Sequence, residues 1–410
     1  MLQGLRKLRT NENVLIAVDV LINSKSAFMN IFLMAFMMRI SLSESPVDFI
    51  IYGMTRYACM GIFSLLLMSF VRRHTLAAWR LSMIFSVLQM IAVITLGGTS
   101  PYFVYVLAVL TALESVLYWR PKIYYDTTEV SEDRRVRYHA FGQTLIEVGK
   151  IIMPTVLGVL IADHGYEGAA NIILIIASME LMLSVLFRPT KKHLRKTGHS
   201  LSRIWQFTMR HKSLRRYHVL QFLRGFLVSS AAYVVISQIN IYRALGSDIS
   251  LGIYTSLAAV FAILLLLFFQ KRCHSSRSRA AFAVMTLPAI ILVPVVAWYF
   301  PNDATVAIAL YLVAQSIVES FWNKVAVFPR LQSIIRRHIR DDAFRIEVEC
   351  VGETALTMGR LMSLGILLVL VSLGASGEQM LFFMILESLV ILPVAFMCRP
   401  SRRKSANIVK

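Results

Sequence analysis

The stretch Thr111-Ala112-Leu113-Glu114-Ser115-Val116-Leu117 sets one carboxylate in the middle of an apolar run, and Ile317-Val318-Glu319-Ser320-Phe321 repeats the arrangement. The second glutamate follows the first by half the length of this 410-residue chain. Mixed-charge segments come next, Glu132-Asp133-Arg134-Arg135 in one case and Arg336-Arg337-His338-Ile339-Arg340-Asp341-Asp342 in the other. A further apolar run follows each: the first carries Glu147, Lys150, Pro154 and Gly158, the second Glu353, Gly359 and Arg360. The same offset lays Asp19 onto Arg224 and Arg72 onto Arg277. Agreement of order, spacing and charge reads as two diverged copies of one half.

Hydrophobic residues make up 57% of the chain and charged residues 16%, which excludes an ordinary soluble domain. A helix needs roughly 20 mainly apolar residues to cross a bilayer. Twelve such spans are predicted, near 13–39, 47–71, 76–97, 102–125, 138–162, 167–187, 217–242, 249–270, 279–299, 304–328, 345–373 and 377–398. They are numbered 1 to 12 below.

The net charge of +20 invites a nucleic-acid reading, which the placement of the basic residues excludes. They fall at alternate connections: Arg6, Lys7 and Arg9; Arg72 and Arg73; Arg134, Arg135 and Arg137; the run from Arg188 to Arg216; Lys271, Arg272, Arg277 and Arg279; Arg330 to Arg340; Arg399 to Lys404. The other connections are short and poor in Lys and Arg, with Arg39 and Arg243 as exceptions at span ends. This positive-inside pattern predicts that both termini are cytoplasmic. No signal peptide is expected, since Met1–Glu12 is polar and basic and span 1 is too long for an h-region. Cys59, Cys273, Cys350 and Cys398 show no metal-type spacing and are expected to be free thiols.

A charge at membrane depth is costly unless it faces a partner or a cavity, so intramembrane charges are the candidate site. Span 1 carries Asp19, Asn23 and Lys25, and span 2 carries Arg56. Span 4 carries Glu114 and Arg120, with Pro121 expected to kink it. Glu147 and Lys150 share a face of span 5, and Pro154 and Gly158 there permit bending and close helix contact. Span 6 carries Glu180, span 7 Gln221 and Arg224, span 10 Gln315, Glu319, Asn323 and Lys324, and span 11 Glu349, Glu353, Thr357 and Arg360. Between spans 6 and 7, Leu201, Ile204, Trp205 and Phe207 interleave with Arg203, Arg210 and Lys212. This segment reads as a tether, part of which suits an anionic inner leaflet.

Twelve spans in two halves, cytoplasmic ends and a long central basic loop together resemble the major facilitator superfamily of secondary transporters. The expected fold is therefore all-α: a polytopic membrane protein with two six-helix bundles related by a pseudo-twofold axis. Residues 1–188 would form one bundle, 189–216 a linker, 217–398 the other bundle and 399–410 a basic tail. The resemblance implies a central cavity lined by spans 1, 4, 7 and 10. Met153-Pro154-Thr155-Val156-Leu157-Gly158 is similar to a partial form of the family's proline-glycine motif. The loop between spans 2 and 3, Val71-Arg72-Arg73-His74-Thr75-Leu76, departs from the family pattern by lacking its glycine and aspartate. The family's usual latch between the halves is thus not expected there in its usual form.

The reading is a transporter of a small anionic or amphipathic solute, coupled to protons, in a bacterial or archaeal inner membrane. Glu114, Glu319 and Asp19 are the candidate proton carriers; alternatively each glutamate pairs with a cation such as Arg120, Lys324 or Arg56 to hold helices together. Lys25, Arg120, Arg224, Lys324, Asn23, Gln315 and Asn323 are candidate solute contacts, arginine being suited to carboxylate or phosphate. Glu147 with Lys150, and Glu353 with Arg360, read as gating or structural ion pairs. Tyr118, Trp119, Tyr124 and Trp322 read as packing residues. No phosphate loop, metal pattern or nucleophile set is present, so no enzymatic activity, cofactor, metal or nucleic-acid partner is expected, and the protein is expected to be a monomer. A flippase or exporter of an amphipathic or lipid-linked anion, and a transport-inactive receptor or scaffold, remain alternatives.

Overall fold

A computed structural model describes residues 10–40, 47–97, 99–130, 132–189, 200–227, 232, 235–236, 245–272, 278, 281–288, 290, 317–318, 321–322, 327–339 and 342–398. Among them the regular structure is helical throughout, as a bilayer demands, because a helix satisfies its backbone polar groups within its own segment. Eight helices among the described residues are long and apolar enough to cross a membrane. One of these, Glu132–Leu186, is spans 5 and 6 joined at Gly165, whose φ of 70° and ψ of 178° break the helix in a conformation that glycine alone adopts readily.

Span 1 runs from Thr10–Ala27 through a π turn at Phe28–Phe32 into Leu33–Ile40. Span 2 is Val47–Leu66 continued by Met68–Arg73, and span 3 is Thr75–Leu96. Span 4 is Phe103–Thr128, a single helix that continues past Pro121. In the second half, span 7 is described over the helix Lys212–Leu227, span 8 is Asp248–Arg272 and span 11 is Asp342–Ser372. Span 12 begins at a capping box between Ser376 and Gln379 and is divided into Gly377–Ser388 and Ile391–Cys398. A short helix, Phe328–His338, follows span 10, most of which lies outside the described residues together with Gln315, Glu319, Asn323 and Lys324.

Span 6 shows how these helices are oriented. Ile175, Met179, Met182 and Leu186 recur at helical spacing and are exposed, while Ile173, Ala177, Glu180 and Ser184 are buried on the other side. The outward stripe is apolar and the polar groups point inward, the reverse of a soluble helix and the arrangement a lipid surround requires. The chain is a multi-pass membrane protein.

Glycines set where the two halves of the chain meet. A Cβ built on Gly252 of span 8 would stand 2.4 Å from the Pro154 carbonyl oxygen of span 5, and one on Gly158 would stand 2.6 Å from that of Asp248. The pair Pro154 and Gly158 therefore does permit close contact, and span 8 is the neighbour. Thr155 and Ser256 hydroxyls bond across the same crossing at 2.8 Å. Spans 2 and 11 meet at Gly61, where a Cβ would be 2.8 Å from Thr357 Oγ1. Within the second half, Gly225 of span 7 and Gly359 of span 11 lie backbone to backbone.

The linker segment forms the helix Leu201–Arg210, started by Ser200, whose Oγ accepts from the Arg203 amide at 3.3 Å. Its apolar residues divide: Ile204 is buried and Phe207 packs on Phe344, whereas Leu201 and Trp205 are exposed beside Arg203.

Candidate functional site

A cavity of about 360 Å³ lies between the halves. Span 2 contributes Arg56 and Tyr57, span 4 Ser115, Trp119 and Arg120, and span 7 Tyr217, Gln221 and Arg224. Span 11 supplies Glu349, Glu353 and Arg360. Among the described residues, four arginines stand against two glutamates in the wall, an excess of two positive charges. Two of the arginines stack on one ring, with the Arg360 guanidinium carbon 4.6 Å and that of Arg56 5.6 Å from the centre of Tyr57. Gln221 accepts from Arg224 at 3.3 Å and donates to the Tyr217 hydroxyl at 3.1 Å, which holds the Arg224 head group to span 7. Arg56 forms no ion pair among the described residues, and its Nε is buried without a hydrogen-bond partner.

Arg120 crosses from span 4 to span 11, with Glu349 at 3.4 Å, Glu353 at 3.3 Å and the Glu349 carbonyl at 3.1 Å. Arg360 holds the other oxygen of Glu353 at 3.7 Å. Nearer the end of the bundle that carries the basic connections, Arg72 forms a buried ion pair with Glu347. The span 2–3 loop, where the family's latch was not expected in its usual form, contributes an ion pair of another form. The family's glycine and aspartate are missing, yet the surviving arginine reaches the first turns of span 11 and ties the halves together. At the opposite end Arg39 pairs with Asp248 at 2.8 Å, and the Tyr166 hydroxyl donates to the same carboxylate at 2.7 Å. Arg39, an exception to the charge pattern, is neutralised by the other half.

Several predicted solute contacts lie elsewhere. Lys25 is buried inside the first half, paired with Glu114 and donating to Ser86 Oγ at 2.7 Å, and does not line the cavity. The partner of Glu114 is therefore Lys25, with Gln89 Nε2 at 2.5 Å, and not Arg120 or Arg56 at ion-pair distance. Asn23 donates to the Asp19 carbonyl at 2.7 Å in its own helix. Asp19 belongs to a cluster closer to the basic end: Tyr118 donates to it at 2.9 Å, and Lys122 bridges it at 3.3 Å to Asp126 at 2.6 Å. Glu147 and Lys150 pair along span 5 at 3.3 Å. Glu353 and Arg360, read as a structural pair, line the cavity as well. Among the aromatic residues Tyr118, Tyr124 and Trp322 are packed in the interior, while Trp119 reaches the cavity wall.

The sequence reading missed Arg56 as a cavity cation, Glu347 and Asp248 as partners across the halves, and the set Ser86, Gln89 and Glu180. An ionisable group in an apolar span was the available signal for Arg56 and Glu180. Ser86 and Gln89 carried none, since neutral polar residues are common in membrane helices.

No protein-family model matches the sequence, and no curated protein matches it. Solved structures do. An autoinhibited POT family peptide transporter superposes with a TM-score of 0.70 at 11% identity, over 98% of this chain and 99% of that one. A POT family transporter in complex with 5-aminolevulinic acid gives 0.68 at 14% identity over 94% of both chains. The nucleoside transporter NupG gives 0.63 at 10% identity, over 95% of this chain and 97% of its own. Likeness at such low identity is a likeness of architecture: this chain has the major-facilitator fold.

Proposed function

We propose that the protein is a secondary active transporter that moves a small anionic solute across the membrane by alternating access, coupled to protons. The observation that carries this reading is the cavity between the halves, whose described lining carries four arginines against two glutamates. Arg56 and Arg224 are the solute-binding residues, one from each half, because a guanidinium donates in the fork geometry that carboxylate and phosphate accept. Trp119, Tyr57 and Tyr217 supply flat apolar surface beside them, which suits a solute with an organic body.

The basic end faces the cytoplasm of an inner membrane, so both termini are cytoplasmic. Arg72 with Glu347, and Arg120 with Glu349 and Glu353, then close the cytoplasmic side, and Arg39 with Asp248 ties the outer side. Opening either side requires the matching ion pairs to part. A bound anion offsets part of that cost by engaging the arginines itself. Proton coupling is supported by the buried carboxylates of the first half, where Glu114 precedes in sequence the cavity residue Ser115.

The test is exchange in sealed liposomes containing the purified protein, with labelled carboxylates, phosphates, neutral sugars and amines offered in turn and internal pH followed by a dye. Exchange of an anion, accompanied by proton movement and shifted to higher half-saturation in Arg56→Gln and Arg224→Gln, is the expected result. Exchange confined to neutral or cationic solutes and indifferent to both substitutions would overturn the reading.

A further inference from the structure

A second polar centre sits wholly inside the first half. Lys25 of span 1, Ser86 and Gln89 of span 3, Glu114 of span 4 and Glu180 of span 6 form one chain of contacts. Lys25 pairs with Glu114 and donates to Ser86 Oγ; Ser86 in turn donates to Glu180 Oε2 at 2.8 Å, and Gln89 donates to Glu114. Lys25, Ser86, Gln89 and Glu180 are each at most 2% exposed and Glu114 is 7% exposed.

Two independent shortages mark this centre. In charge, two buried carboxylates share one ammonium within contact distance, and the next cation, Arg56, acts only at longer range through Glu114. In hydrogen bonding, Glu180 Oε1 and Gln89 Oε1 are both buried without a partner, and both are acceptors. Buried acceptors with no donor are rare in folded proteins and call for an explanation. One small cation bears on both deficits: a proton on Glu180 offsets the charge and removes one of the two unpartnered acceptors by converting its oxygen to a donor.

We propose that this network is the binding site of the driving cation, with Glu180 as the residue that takes up and releases a proton, walled off from the solute cavity. The assignment rests on the transport reading above for its purpose, but not for its existence. The other charged groups acting on the centre are Lys25, Glu114 and, at longer range through Glu114, Arg56 on span 2. Arg80 of span 3 is turned instead to the carbonyls of Ser184, Val185 and Phe187. When Glu180 holds the proton, Ser86 loses its charged acceptor and Lys25 is left to Glu114 alone. When the proton leaves, Lys25 is shared by two anions. That exchange alters how spans 1, 3, 4 and 6 are held together. Span 4 conveys it to the cavity, because Ser115, the residue after Glu114, and Arg120 two turns on both line it.

The experiment is an acid–base titration of the purified full-length protein in unbuffered detergent solution, wild type beside Glu180→Gln and Ser86→Ala, with folding checked by thermal unfolding. The glutamine keeps an acceptor for Ser86 and has no proton to exchange, so Glu180→Gln is expected to lose about one titrating proton per chain. Ser86→Ala keeps the carboxylate and is expected to retain that proton with a displaced midpoint. In liposomes Glu180→Gln should still exchange labelled solute across the membrane but no longer accumulate it on a pH gradient. Titration curves for both variants that coincide with wild type would overturn the assignment. So would a stabilisation by sodium chloride over choline chloride that Glu180→Gln abolishes, since sodium would then be the occupant. Because the titration needs no solute, a protein that loses the Glu180 proton yet moves no solute would overturn the transport reading and leave the cation site standing.

Discussion

The two halves are joined along two seams built from different materials. Where spans 2 and 4 meet span 11, ion pairs add to the close approach at Gly61: Arg72 with Glu347, and Arg120 with Glu349 and Glu353. Where span 5 meets span 8, it is backbone against backbone, with Gly158 and Gly252 admitting the carbonyls of Asp248 and Pro154. Ionic contacts inside a membrane are costly to break and can re-form with water or a ligand anion as the new partner. Glycine crossings hold by close packing and tolerate rotation while the helices stay in contact. On the transport reading proposed above, the charged seam would open and the glycine seam would serve as the pivot.

The sharpest way to break that comparison is to fill the pivot. Gly252→Val places a side chain where a Cβ already meets the Pro154 carbonyl at 2.4 Å, a backbone atom that cannot step aside. We expect a loss of about 3 kcal/mol or more in stability and no solute exchange, read by thermal unfolding and the liposome assay. Retention of wild-type exchange would show that spans 5 and 8 separate during the cycle.

Next in size is the buried pair of the charged seam. Glu347→Ala leaves Arg72 buried and unpaired and is expected to cost about 3 kcal/mol, while Arg72→Ala with Glu347→Ala together should cost less than the sum of the two single changes. A double-mutant cycle on unfolding midpoints checks this, and strict additivity would show that the two side chains do not interact.

A smaller effect is expected at the cavity. Arg56→Gln removes a guanidinium that has no carboxylate partner among the described residues, so folding is little changed while half-saturation for the transported anion rises about tenfold, or roughly 1.4 kcal/mol. An unaltered half-saturation would move solute binding away from span 2. Smallest is Thr155→Val, which deletes the 2.8 Å bond to Ser256 and should cost about 1 kcal/mol with exchange preserved. A complete loss of exchange there would mean that the glycine seam depends on hydrogen bonding as well as on packing.

How far the site was legible depended on what each residue needed. Arg120, Arg224, Glu353 and Arg360 were found because a charge in an apolar span stands out by itself, and all of them line the cavity. Lys25 stood out equally and was misplaced, because the same signal is given by a residue facing a cavity and by one paired inside a bundle. Its partner, Glu114, lies on another span, and helix rotation decides the pairing. Arg72 shows a different case: its loop lacks the family's motif, and the arginine pairs with a carboxylate on span 11 that no local pattern reveals.

The sequence by itself determined the class of protein, the positions of most spans and the charge asymmetry of its two ends. These follow from local quantities, since a bilayer obliges each crossing segment to meet its own backbone hydrogen bonds and to be apolar over its own length. Only the tertiary structure decided which charges meet, which helices touch backbone to backbone, and that Glu180 shares a closed centre with Lys25 and Glu114. Those outcomes depend on the rotation and crossing of helices far apart in the chain, and a span that is apolar on every side carries no local record of which face its neighbours will cover.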